Sequence, residues 1–126
     1  MGDPALKDKK VLIVDDDESN QYLMQVIMQE LGCGFEIAPD GQVAVEKVKN
    51  GAFDLVFMDL RMPVMNGYEA TKAIREFNKD LPIIALTAHA MDWVPSQCFS
   101  IGMNDFISKP YNRNKIKEEV VKWVTR

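Results

Sequence analysis

Four positions in this 126-residue sequence pair a chemically capable side chain with the end of an apolar run. Asp15, Asp16 and Asp17 follow Val11-Leu-Ile-Val14, Asp59 follows Leu55-Val-Phe-Met58, Thr87 follows Ile83-Ile-Ala-Leu86, and Lys109, with Pro110 behind it, closes a run through Phe106-Ile107. Gathered in one place, the acids would repel each other by about 4 kcal/mol at roughly 4 Å with an effective dielectric of about 20, which is costly for folding alone. A hard divalent cation relieves that cost. Magnesium suits an open site of one or two carboxylates, waters and substrate phosphate oxygens. Its usual company is phosphoryl chemistry, in which a carboxylate attacks phosphorus and carries the group as an acyl phosphate while a lysine and a hydroxyl neutralise the oxygens. Asp59 stands alone in the central position and is the expected nucleophile.

Each of these residues has an ordinary structural reading when taken singly. The triplet Asp15 to Asp17 could serve as helix-entry residues favoured by the macrodipole. Asp59 could belong to a turn, since Met62-Pro63 and Asn66-Gly67 follow it. Thr87 alone carries no information, and Lys109 alone could be a solvated charge. Acid, acid, hydroxyl and lysine together on four strand ends are harder to explain that way, and the set points to a site.

The elements that must hold these residues are legible from periodicity. Val11–Val14, Leu55–Met58 and Ile83–Leu86 are apolar without alternation, which implies strands buried on both faces; Phe106-Ile107 and a weaker run at Phe35–Ala38, after Gly32-Cys-Gly34, complete five. Between them the period becomes helical, with expected buried faces at Leu23, Val26, Ile27 and Leu31; at Ala44, Val45 and Val48; at Ala70, Ala73, Ile74 and Phe77; and at Ile116, Val120, Trp123 and Val124. The segment Met91–Ser100 is less regular, and its Pro95 is expected in the first turn of a helix. Five alternations of strand and helix with short connections predict an α/β parallel sheet covered on both sides. In such a doubly wound sheet ligands sit beyond the carboxyl ends of the strands, where the chemically capable residues fall.

Composition narrows the function classes. A chain of this length with 47% hydrophobic residues reads as one domain over 10–126, with residues 1–9 as a flexible lead-in. The net charge of −4 argues against direct nucleic-acid binding. Two cysteines, Cys33 and Cys98, are too few for a disulfide framework and lack zinc-site spacing, so a reducing, cytoplasmic setting fits. No apolar run reaches the roughly 20 residues of a membrane span, and no direct membrane partner is expected.

The motifs Val11-Leu-Ile-Val-Asp-Asp16, Met58-Asp-Leu-Arg-Met-Pro63 with Asn66-Gly67, Ala85-Leu-Thr-Ala88 and Ser108-Lys-Pro110 together resemble the receiver domains of response regulators in two-component signalling, from about Lys10 to Trp123. The resemblance implies a flavodoxin-like (βα)5 fold of strand order 2-1-3-4-5, the order known for a chemotaxis relative. It implies that Asp16 and Asp59 bind Mg2+ directly, that Asp15 assists, and that the backbone carbonyl of Arg61 completes the protein ligands. Asp59 would take a phosphoryl group from a histidine kinase or histidine phosphotransfer protein, making the chain a phosphoacceptor that assists its own phosphorylation and dephosphorylation and not a turnover enzyme. Lys109, the Thr87 hydroxyl and the Ala88 amide would contact the phosphoryl oxygens. Thr87 and Phe106 would then form a two-state switch for the face made by the fourth helix, fifth strand and fifth helix; ordinary core packing is the alternative reading of Phe106. Arg61 and His89, two places after the phosphoacceptor and the switch threonine, would tune the dephosphorylation rate, the alternative being two solvated side chains.

The wording Thr87-Ala-His-Ala-Met91 and Gly102-Met-Asn-Asp-Phe-Ile-Ser-Lys-Pro110 is most similar to receivers of hybrid histidine kinases or multi-step phosphorelays, so the output would be a downstream protein or parent kinase domains. Trp93 and Pro95 depart from the charged start usual for the fourth helix, and Trp93 is either a partner anchor or packed under its loop. A dehalogenase-type phosphatase would need an acid where Arg61 stands. A calcium loop starting at Asp15 would need glycine at Asn20 and an acid at Val26. A flavodoxin-like cofactor binder lacks its phosphate loop after the first strand. The remaining rival is a receiver-like module that signals by binding without phosphorylation.

Overall fold

The computed structural model describes residues 4–88, 93–110 and 112–125, and of residues 93–95 the backbone alone. Five strands, β1 (Lys10–Val14), β2 (Gly34–Ala38), β3 (Leu55–Asp59), β4 (Ile83–Thr87) and β5 (Asp105–Ser108), alternate with five helices, α1 (Glu18–Leu31), α2 (Gly41–Asn50), α3 (Gly67–Arg75), α4 (Trp93–Ser100) and α5 (Arg113–Val124). Every pairing is parallel and the sheet order is β2-β1-β3-β4-β5, the expected doubly wound arrangement.

The unbroken apolar runs are explained by the two layers that cover the sheet. Side chains alternate along a strand, so Val11, Ile13, Leu55, Phe57, Ile84 and Leu86 pack with α1 and α5. Their neighbours Leu12, Val14, Val56, Met58, Ile83 and Ala85 pack on the opposite face with α2, α3 and Cys98 of α4. Each fully buried Leu, Ile or Phe contributes roughly 1.5–3 kcal/mol relative to exposure, which fixes the central strands. The edge strands β2 and β5 are only partly buried, matching their shorter apolar runs.

Helix starts are set by side-chain caps. The Asp17 carboxylate accepts from the Ser19 amide at 2.8 Å to begin α1, and Asp40 accepts from Val43 at 2.9 Å to begin α2. Asn66 and Glu69 cap α3 reciprocally, at 2.9 and 3.1 Å. Asn112 caps α5, and Pro95 is the third residue of α4, in its first turn as expected. Gly32, at φ 81°, ends α1 in the left-handed conformation that glycine adopts without a Cβ penalty.

Several expectations need correction. The buried face of α1 is Met24, Ile27, Met28 and Leu31, whereas Leu23 is exposed; α1 is apolar over a wide arc, and a one-residue offset turns the face by about 100°. Phe77 lies beyond the end of α3 and is exposed, with the Lys49 ammonium 5.6 Å from its ring centre. On α5 the buried set is Ile116, Glu119, Val120 and Val124, so an acid joins the core face and Trp123 is only half-buried. The lead-in is not loose throughout: Pro4–Leu6 form a 3-10 turn and Leu6 is fully buried against the α1 and α5 layer. A single leucine flanked by polar residues carries no periodic signal, which is why the segment read as loose.

Candidate functional site

In an all-parallel sheet the carboxyl ends of all strands share one edge, and the register decides which ends are neighbours. Val14 pairs with Met58, Asp59 with Leu86, and Thr87 with Ser108. Asp15 therefore emerges beside Asp59, and Lys109 emerges beside Thr87, whose carbonyl accepts from the Lys109 amide at 2.7 Å.

Carboxylate oxygens of Asp15, Asp16 and Asp59 all lie within 4.8 Å of one another, with Asp15 and Asp59 buried and Asp16 exposed. The Lys109 ammonium stands 3.0 Å from Asp59 Oδ2 and 3.6 Å from Asp15 Oδ2. The Arg61 amide donates to Asp59 Oδ1 at 3.1 Å. Burial pushes the Asp59 carboxyl above its ordinary value, and the charge of Asp15 adds to this against the opposing Arg61 amide and Lys109. Among the described residues the clustered carboxylates, gathered around the Lys109 ammonium with Arg61 at the rim, supply hard oxygen donors, a set that fits a small divalent cation better than a soft metal.

Asp16, Asp59, Arg61, Thr87, Ala88 and Lys109 line an open cavity of about 260 Å³, with Asp15 buried behind it. Thr87 is 6% exposed at the end of β4, while Ala88 and Arg61 are exposed at the rim. Phe106 is half-buried in β5, opposite Ala85 in the register, against the core layer of α2, α3 and α4. His89 lies outside the described residues, as do the side chains of Trp93 and Pro95.

Three contributors escaped the sequence reading. Asn20 lines the cavity from the first turn of α1. Gln21 Nε2 donates to the Asp15 carbonyl at 2.7 Å, tying α1 to the turn that carries Asp16. Gly67 is buried at the start of α3 with its amide donating to Leu60 at 3.2 Å, and a Cβ there would overlap the Asp59 carbonyl oxygen and meet the Asp59 carbonyl carbon and Leu60 Cα at 3.0 Å. The glycine in Asn66-Gly67 reads locally as a turn signal; its real constraint is the backbone at the end of β3.

Comparison with known proteins identifies the family. The family profile described as the response regulator receiver domain matches residues 11–121. The chain belongs to the receiver domain family. This receiver is 40% identical over 119 residues to the sensor protein GacS of Pseudomonas syringae pv. syringae, covering 90% of the chain and 13% of that protein. It spans between 3% and 13% of the length of GacS and the other hybrid and sensor kinases of comparable similarity that it matches. Among solved structures, the receiver domain of the sensor histidine kinase PA1611 from Pseudomonas aeruginosa PAO1, with a magnesium ion coordinated in its active site cleft, superposes with a TM-score of 0.88 at 33% identity, covering 94% of this chain and 99% of that one. The receiver domain of the response regulator Ssk1, crystallised with the histidine phosphotransfer protein Ypd1 of Saccharomyces cerevisiae, superposes with a TM-score of 0.89 at 31% identity, covering 94% and 90%.

Proposed function

We propose that this receiver accepts a phosphoryl group on Asp59 from the phosphohistidine of a histidine kinase or histidine phosphotransfer protein, within a two-component or phosphorelay pathway. The observation that carries the reading is the Lys109 ammonium 3.0 Å from Asp59 Oδ2 inside a group of three carboxylates that opens onto a solvent cavity. An Asp59 oxygen attacks phosphorus, the P–N bond to the imidazole breaks, and the imidazole leaves with the bonding pair. Lys109 shifts from pairing with Asp59 to pairing with a phosphoryl oxygen, and the Thr87 hydroxyl and Ala88 amide donate to the others. Asp15, Asp16, Asp59 and the Arg61 carbonyl would hold Mg2+, which supplies neutralisation of the clustered negative charge when bound.

The charge brought by the phosphoryl group draws Thr87 inward, and Phe106, on the neighbouring strand, turns to fill the space; the face of α4, β5 and α5 carries the result to a downstream protein or to parent kinase domains. Arg61, exposed at the rim, stands beside the path of attacking water and sets how long the phosphoryl group lasts; His89, expected in the same role, lies outside the described residues. Incubation with a radiolabelled histidine phosphotransfer protein tests the reading. Label should move to the receiver with Mg2+ present and stay on the donor when EDTA is added. No transfer from any donor, with partner binding retained, would instead make this a module that signals by association.

A further inference from the structure

Away from the acid cluster, α5 carries an acid in a place built for an apolar residue. Glu119 is 2% exposed, on the same helix face as the buried Ile116 and Val120. One of its oxygens, Oε2, accepts from the indole Nε1 of Trp123 at 3.0 Å. The other, Oε1, is buried without a hydrogen-bond partner, and the nearest ammonium, Lys115 Nζ, stands at 3.8 Å, beyond hydrogen-bonding distance. Across from it, on β5, lies the carboxyl of Asp105, which accepts from the Phe106 amide at 2.9 Å and has the Lys122 ammonium 3.6 Å away.

We infer that Glu119 and Asp105 share one proton, and that this proton fastens α5 to β5 beside Phe106 and makes the β5–α5 face sensitive to pH. Two ionised carboxylates cannot hydrogen-bond, whereas a protonated Glu119 turns its orphaned Oε1 into a donor and gives Asp105 a second partner. Ionised, Glu119 would be a buried charge with half its acceptors unmet, an arrangement that costs more than the hydrogen bond returns.

The groups facing the pair assign the proton to Glu119. Burial, followed by the hydrogen bond and charge of Asp105, pushes the Glu119 carboxyl from its ordinary value to about 7, against the indole of Trp123 and the charge of Lys115. Burial pushes Asp105 upward too, but the hydrogen bonds from Glu119 and the Phe106 amide, with Lys122 and Lys115, hold it below its ordinary value. Because Glu119 is raised, the folded protein keeps a proton that the unfolded chain has released between about pH 4.5 and pH 7, so the latch's stabilisation is lost as pH rises through that window. Above it, the face carries one more negative charge and α5 is held less firmly. This device stands independently of the phosphoryl reading of Asp59.

Carboxyl-carbon NMR of the full chain labelled with ¹³C-glutamate tests it, with Glu119→Gln assigning the signal. One glutamate should titrate near neutrality, and Asp105→Asn should move its midpoint down toward the ordinary value. Glutamine mimics the protonated acid, so Glu119→Gln should keep its melting temperature between about pH 6 and about pH 8 while the wild type falls by a few degrees relative to it. A Glu119 signal with an ordinary midpoint, or one that Asp105→Asn leaves in place, overturns the inference, and the wild-type titration decides even if a variant fails to fold.

Discussion

Gly67→Ala tests whether Asp59 is held by backbone packing as well as by its ion pair with Lys109. A Cβ at position 67 would overlap the Asp59 carbonyl oxygen and stand 3.0 Å from both the Asp59 carbonyl carbon and Leu60 Cα, whereas ordinary contact begins at 3.4 Å. All three atoms are backbone, so no side-chain rotation relieves the clash, and either α3 or the end of β3 must shift by up to about 1 Å. Overpacking of this kind costs about 1–3 kcal/mol. A displacement near 1 Å at a reacting group costs on the order of 100-fold in rate. Gly34→Ala is the internal control: its Cβ would meet Lys9 only at 3.5 Å, in ordinary contact, so it should change stability by about 1 kcal/mol or less, in the stabilising direction. Thermal melts give the first quantity, and the rate of Asp59 phosphorylation by acetyl phosphate gives the second. A Gly67→Ala protein that melts and phosphorylates like wild type would refute the reasoning.

Leu6→Ala should destabilise by about 2–5 kcal/mol, because Leu6 is fully buried; a denaturant midpoint unchanged from wild type would mean the lead-in is dispensable. Val64 is a β-branched residue at φ 70° and 75% exposed in the loop between β3 and α3, so Val64→Gly should stabilise by about 1 kcal/mol, read from the same melts. Asp59 is raised by burial, so its ionised form weakens the fold as pH rises through its folded value; at neutral pH without metal, Asp59→Asn should melt higher than wild type. Adding Mg2+ at tenfold its dissociation constant should then stabilise wild type by about 1.4 kcal/mol and the variant by less, and EDTA should reverse the gain.

How much was legible beforehand follows from the range of the signals. The strands at Val11, Leu55 and Ile83 were readable because burial on both faces leaves an unbroken apolar run, and parallel pairing then brings Asp15, Asp59, Thr87 and Lys109 to one edge with no further information. Features that depend on distant partners were not readable. Glu119 belongs by type to the solvent side of α5 and is drawn inward by Trp123 and Asp105. Leu6 packs against helices far along the chain. On α1, Met24 and Met28 compete with Leu23 and Val26 for the buried face, and hydrophobicity alone does not choose between stripes one residue apart. Gly67 signalled a turn in sequence and proved to be a spacing constraint against β3.

Acetyl phosphate, Mg2+ and intact-mass spectrometry put the central assignment to the most direct test. Wild-type protein should gain the mass of one PO3 unit, lose it on standing, and fail to gain it when EDTA is present. Asp59→Asn protein should stay unmodified under the same conditions. Equal and equally labile labelling of the Asp59→Asn protein would contradict the account.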